Sequence, residues 1–219
     1  MSRTAPDHAG CARATGADGW LLLLRHAETE GGEGRCIGRT PLELSARGRE
    51  QAEELAGALE ALRPARLCSS PARRALDTAA PLAQRMGLGV VAVPGLDELD
   101  MGQWDGLEFD DIRARWPQAY ADRGLRFATF RPPGGESFAD AADRACDALR
   151  DLAQGPLPVV AVTHAGVIRA VLCRLTGHSL DDPFHFRPGY ARCAALCVYG
   201  KRIVPVAADL DPAHVLTMP

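Results

Sequence analysis

The sequence lacks the features that mark several protein classes. Its seven cysteines (11, 36, 68, 146, 173, 193 and 197) are odd in number, scattered and never spaced Cys-x-x-Cys. This argues against a disulfide framework and a structural zinc site, and it fits a reducing compartment. No apolar run is long enough to cross a bilayer. Residues 1–18 are alanine, glycine and charge without an apolar centre, so they form no signal-peptide pattern. The expected setting is the cytoplasm, with no membrane partner. Excess positive charge is missing as well. Lys plus Arg number 25 and Asp plus Glu 28, a formal net charge of -3. A broad nucleic-acid-binding surface is therefore not expected, and an anion site has to be built locally from a few Arg and His. No repeat, low-complexity block or linker divides the 219 residues. The expectation is a disordered tail over residues 1–18 and a single domain over 19–219.

What is present is organised around Trp20-Leu21-Leu22-Leu23-Leu24-Arg25-His26. The apolar run is of strand length and ends in a cation and an imidazole. A buried strand ending this way delivers both side chains to the carboxyl edge of a sheet, where open α/β proteins bind ligands. A Gly-rich loop follows over residues 30–44, and Ser45 is placed to cap the next helix, which stops before Pro64. A second strand is read at 65–69. Ser70 then caps a helix with Pro71 at its first position, running to Met86 and stopped by Gly87. A third, buried strand is expected at 89–93, a loop at 96–106 and a short helix at 110–116. Residues 119–133 show no clear period and are read as mostly irregular. A helix over 136–153, a strand over 157–163 ending at His164, and a helix over 167–175 come next. A strand at 193–199 with a hairpin partner at 202–207 closes the pattern. Strands alternating with helices predict a three-layer α/β/α sandwich, with a mostly parallel central sheet and an antiparallel edge strand.

Right-handed crossovers then bring the strand ends to one edge. Arg25 and His26 follow strand one, Arg74 opens the helix after strand two, Glu98 lies in the loop after strand three, and His164 ends strand four. Two Arg, two His and free helix N-termini suit a phosphoryl group. An imidazole can attack phosphorus, guanidinium groups can hold the equatorial oxygens, and a carboxylic acid can protonate the leaving oxygen. No metal and no cofactor is required by this chemistry. The competing assignments, Arg73 for the clamp and Asp97 or Asp100 for the acid, fit the spacing less well. His8, His178, His185 and His214 read as surface or loop residues, and Trp104 and Trp116 as packing.

At these residues the chain resembles the histidine phosphatase superfamily, of phosphoglycerate-mutase-like fold. The matching segments are Arg25-His26-Ala27-Glu28-Thr29, the stretch from Ser69-Ser70-Pro71 to Thr78-Ala79, and Glu98 through Gly102, Trp104 and Gly106. Pro133-Gly134-Gly135-Glu136-Ser137 and Val162-Thr163-His164-Ala165-Gly166 through Arg169 match as well. The likeness implies His26 as nucleophile, His164 as second imidazole, Arg25 and Arg74 as phosphate clamps and Glu98 as proton donor. It adds Glu28, Thr29, Gly38, Met101, Ala165 and Gly166 as substrate-binding positions, with a small phosphate ester as the partner and a homodimer left open. Ala27, Gly32 and Ile37 depart from the family pattern of Gly, Asn and Gln.

Within the family, a phosphatase is favoured over a mutase. The third position after Glu98 is Met101 where mutases carry Tyr, residues 102–125 contain no Lys, and Arg126 and Arg131 are separate. No carboxylate grip is evident from this stretch. A non-catalytic phosphate-binding module is disfavoured because no member of the pocket is missing. The segment Gly34-Arg35-Cys36-Ile37-Gly38 and the run Arg131–Glu136 look like the α-ribazole phosphatase branch, which acts late in cobalamin biosynthesis.

Overall fold

Four leucines in a row form the centre of the sheet because both of its faces are covered. In the computed structural model, which describes residues 17–217, strand β1 (Gly19–Arg25) buries Leu21, Leu22, Leu23 and Leu24 almost completely. Side chains alternate along a strand. Leu21 and Leu23 pack on one side with Leu149, Ile168 and Val171, while Leu22 and Leu24 pack on the other with Leu55, Leu59 and Leu82. Each buried leucine contributes about 1.5–3 kcal/mol relative to exposure.

The elements follow in order. They are α1 (Ala46–Glu60), β2 (Arg66–Ser69), α2 (Arg73–Met86), β3 (Val90–Ala92), α3 (Phe109–Arg115), α4 (Pro117–Leu125), α5 (Phe138–Ala153), β4 (Val159–Thr163), α6 (Ala165–Thr176), β5 (Cys193–Tyr199) and β6 (Arg202–Leu210). Short 3-10 turns lie at Pro94–Leu96, Gly102–Trp104 and Pro212–Thr217. The sheet order is β3-β2-β4-β1-β5-β6. The pairs β3/β2, β2/β4 and β4/β1 are parallel, and the hairpin β5–β6 adds two antiparallel ladders that end the sheet at β6. Helices α1 and α2 cover one face, and α5 and α6 the other. The parallel strands β1, β2 and β4 therefore release Arg25-His26, Ser69-Ser70 and Thr163-His164 at one edge.

Four expectations need correction. Strand β3 is three residues long and lies at the rim of the sheet, with Val91 56% exposed, so it is not a buried strand. Helix α2 begins at Arg73 with Ala72 as its cap, two residues later than expected, and the Ser70 oxygen accepts from Ala72 N–H just ahead of it. The segment read as irregular contains α4, which buries no side chain fully and so shows no apolar stripe to read. Asp18, assigned to the tail, is tied to the sheet: its N–H donates to Val198 O at 2.8 Å and its carboxylate accepts from Gly200 N–H at 2.6 Å. The rest of the expected tail, residues 1–16 with His8 and Cys11, lies outside the described residues. The six other cysteines are buried and form no disulfide among the described residues.

Candidate active site

His26 stands just past β1, 6% exposed, with its N–H on Thr163 O at 2.9 Å. Its Nδ1 lies 2.8 Å from Ala27 O. A carbonyl accepts only, so Nδ1 carries the proton and the neutral ring keeps its lone pair on Nε2. Burial, with His164 and then Arg74 nearby, pushes the His26 pKa well below its ordinary value. Neutral imidazole is therefore the resting form near pH 7. Ala27, the residue that replaces glycine, does not have a left-handed backbone, and its N–H donates to Thr78 Oγ1 at 3.0 Å.

Two guanidinium groups flank the ring. Arg25 stacks on Tyr190, its Cζ 3.6 Å from the ring centroid, and gives one N–H to Pro188 O at 3.0 Å. Arg74 is 2% exposed and donates to Gly38 O at 2.7 Å and Thr40 O at 3.0 Å. Those carbonyls are held by Asp105, whose carboxylate accepts from the N–H groups of Gly38, Arg39 and Thr40 and from the Thr40 hydroxyl, all within 2.9 Å. The loop is packed too tightly for a side chain at Gly38, where an added Cβ would sit 2.4 Å from Leu99 O. Burial lowers both arginine pKa values, yet guanidinium keeps its charge in proteins.

His164 is fully buried, its ring centroid 5.2 Å from that of His26. Its Nε2 lies 2.7 Å from Ser70 Oγ, and Ser70 Oγ lies 2.9 Å from Asp97 Oδ1. Ser70 Oγ also accepts from Ala72 N–H at 3.1 Å. A hydroxyl has one proton, which goes to the carboxylate, so His164 Nε2–H must donate to Ser70. The direct His164–Asp97 gap of 3.6 Å leaves Ser70 as the link between them. Burial would raise the Asp97 pKa, but the hydrogen-bonding groups around it, His164 and Ser70 foremost, outweigh burial and hold it at about 2. Burial also lowers the His164 pKa, against the pull of Asp97, and leaves the ring neutral with Nδ1 bare.

Glu98 reaches the start of α6, where its carboxylate accepts from Gly166 N–H at 3.2 Å and Leu99 N–H at 3.0 Å. A Cβ at Gly166 would come within 2.5 Å of Glu98 Oε1, so only glycine leaves the carboxylate this place.

Arg25, His26, Arg74 and Glu98 border a cavity of about 310 Å³; His164, fully buried, is not among its lining residues. Thr29, Met101, Ala165 and Gly166 line the cavity as well, as do Gly32 and Ile37. Glu28 and Gly38 are not among the lining residues. Glu28 accepts from Ser45 Oγ at 2.7 Å at the start of α1, and Gly38 acts through its carbonyl on Arg74. Arg73 points outward and pairs with Asp77. Among the described residues, buried side-chain nitrogens without a hydrogen-bond partner are Arg25 Nε, Arg74 Nε, His164 Nδ1 and Trp104 Nε1. The first three belong to the cluster around His26.

Several contributors escaped sequence reasoning. Ser70 stood in a matched motif, and its order beside Pro71 suggested a cap. Thr78 also stood in that motif without a role, and Tyr190 gave no signal, since it acts on a residue far away in sequence. One group with metal-ligand chemistry also went unseen: His178, Asp182 and His185 gather on the loop after α6, with ligand atoms within 4.8 Å of one another. That group lies on the surface, and no member of it lines the cavity.

Known proteins resemble the chain over most of its length. The glucosyl-3-phosphoglycerate phosphatase of Mycolicibacterium vanbaalenii is 37% identical, over 74% of this chain and 76% of its own length. The metal-independent phosphoserine phosphatase of Arabidopsis thaliana is 36% identical, over 71% of this chain and 68% of its own. Among solved structures, the α-ribazole phosphatase of Shigella flexneri superposes with a TM-score of 0.80 at 26% identity, covering 88% of this chain and 96% of that one. The family model of the histidine phosphatase superfamily, branch 1, matches residues 21–209, nearly all of the described fold, and the chain belongs to that superfamily.

Proposed function

We propose that the protein is a metal-independent phosphomonoesterase that works through a phosphohistidine at His26 and acts on a compact phosphate ester. The observation that carries this reading is the neutral His26, its Nδ1–H tied to Ala27 O, set among three buried nitrogens without protein partners. Nε2 attacks phosphorus and forms the P–N bond as the ester P–O bond breaks. The leaving oxygen takes its proton from Glu98 as a carboxylic acid. Glu98 as carboxylate then takes a proton from water, which attacks phosphorus, releases inorganic phosphate and frees His26. Arg25 Nε–H, Arg74 Nε–H and the α6 N-terminus hold the equatorial oxygens. A phosphate dianion beside His164 favours protonation of Nδ1, which then adds a further donor.

The cavity volume supports a compact substrate, since about 310 Å³ is near the lower end of the roughly 300–1,000 Å³ usual for small-molecule sites. Relatives named for phosphoserine and glucosyl-3-phosphoglycerate point the same way, toward phosphorylated hydroxy acids. A second reading is α-ribazole 5′-phosphate, favoured by the structural likeness to α-ribazole phosphatases. The test is chemical. Rapid quenching with a turned-over ester should trap acid-labile, base-stable phosphate on the wild-type chain, and His26→Ala should trap none and lose turnover. Near-normal kcat in His26→Ala would sink the mechanism.

A further inference from the structure

The wall of the cavity carries more positive charge than one phosphoryl group uses. Arg169 lies on α6 four residues beyond Ala165, on the same face and about 6 Å further along the helix axis. Its Nε–H donates to Phe186 O at 3.1 Å, and its Cζ stands 5.1 Å from the centroid of Phe184. Arg123 comes from α4 in the last turn, with its Cζ 4.7 Å from the centroid of Phe127. Phe127 and Phe184 meet edge to face, centroids 6.0 Å apart. The two arginines thus sit at either end of an aromatic bridge formed by two separate loops, and both line the cavity.

Neither is ion-paired among the described residues, although many other arginines are; Glu98 acts on Arg169 only through space. Arg126 pairs with Asp122, Arg131 with Asp140 and Arg144 with Glu136. Arg123 and Arg169 are half-buried, and burial lowers both pKa values. The acids that face the cavity are committed elsewhere: Glu98 to the α6 N-terminus, Glu136 to Arg144 and the N–H of Asp100. A part-buried cation without a counter-charge in contact is costly, and an anion supplied by a ligand reduces that cost. The forked guanidinium matches a carboxylate, and stacking on a ring fixes its plane.

We infer that Arg123 and Arg169 form a second anion subsite that grips a carboxylate of the substrate, so that the preferred ester is a phosphorylated acid. The inference rests on the phosphatase reading above. It joins Arg123, from the stretch after Glu98, to Arg169 on α6, 46 positions further along the chain.

The test uses the full chain and a matched pair of esters, O-phosphoserine and O-phosphoethanolamine, which differ by one carboxylate. p-Nitrophenyl phosphate is the control for folding and for chemistry at His26. The wild type should favour O-phosphoserine in kcat/KM by at least about tenfold. Arg123→Gln and Arg169→Gln should each raise KM for O-phosphoserine by about 10- to 100-fold, the worth of a charged hydrogen bond. KM for O-phosphoethanolamine and turnover of p-nitrophenyl phosphate should change less than about threefold. Arg169→Lys, which keeps charge but not the fork, should fall between. Equal losses on both esters, or a wild type indifferent to the carboxylate, overturn the subsite while leaving the phosphatase reading intact. A chain that hydrolyses none of the three esters overturns the phosphatase reading itself, and the subsite with it.

Discussion

The two ends of the cavity are built differently. The reacting end is held by the ends of β1, β2 and β4 and by the first turn of α6, with His26, Arg74 and His164 almost wholly buried. The far wall is held by α4, the segment after it, and the loop between α6 and β5, with Phe184 50% exposed and no side chain of α4 fully buried. One end is rigid because sheet ladders and core packing fix it. The other rests on aromatic edges and guanidinium stacking, contacts worth only about 0.5–1.5 kcal/mol each. The difference suggests a division of labour in which the sheet edge performs the chemistry and the loops choose the ester.

The sharpest way to break that division is at Glu98. Glu98→Gln keeps the shape and removes the proton. Single-turnover phosphorylation should slow by about 10²–10⁴-fold with an alkyl phosphate and far less with p-nitrophenyl phosphate, whose phenolate leaves unaided. Equal slowing for both esters would mean that Glu98 is not the acid, and Asp97 or Asp100 would take its place. Asp97 is the weaker candidate, since the groups around it hold it at about 2.

A smaller effect is expected from the support beneath Arg74. Asp105→Ala removes the acceptor for four donors on residues 38–40. The carbonyls that orient Arg74 then lose their anchor. The expected outcome is a fall in kcat/KM of about 10- to 100-fold for every ester, with a stability loss of about 2–3 kcal/mol. Loss confined to carboxylate-bearing esters would place Asp105 with the far wall instead.

The smallest effect is one of stability. His26 and His164 are buried neutral with lowered pKa values, mainly through burial. In the unfolded chain they titrate at about 6.5, so below that pH the unfolded state binds protons that the folded state does not. Stability should therefore fall as pH drops from about 7 to 5, by at most about 1.4 kcal/mol per group for each pH unit. Thermal melts should show the slope, and His26→Gln should flatten it. An identical slope in the variant would show that His26 charges freely in the fold.

Much of the reacting end could be read in the sequence because each of its parts is local. Leu21–Leu24 reads as a buried strand, Arg25-His26 falls at its end, and the spacing from Glu98 to Trp104 keeps its order whatever the loop does. A strand end has only one edge to go to, so topology rules alone bring these residues together. The far wall gave no such signal. In α4 no apolar stripe marks a helix, and Arg123 is one arginine among many until its neighbours are known.

By itself, then, the sequence determined the α/β pattern, the strand ends and the identity of the groups gathered at them, because periodicity and chain direction are local properties. Only the tertiary structure decided what those groups do to one another. Ser70, besides accepting from Ala72 N–H ahead of α2, became a link between His164 and Asp97, since its hydroxyl meets partners 94 and 27 residues away. Glu28 turned from the cavity to Ser45, and Gly38 acts on Arg74 through its backbone. The depressed pKa of His26 and the unpaired state of Arg123 and Arg169 belong to the same class. Each depends on what lies across a packed interface, and burial and charge pairing are properties of neighbours in space rather than neighbours in the chain.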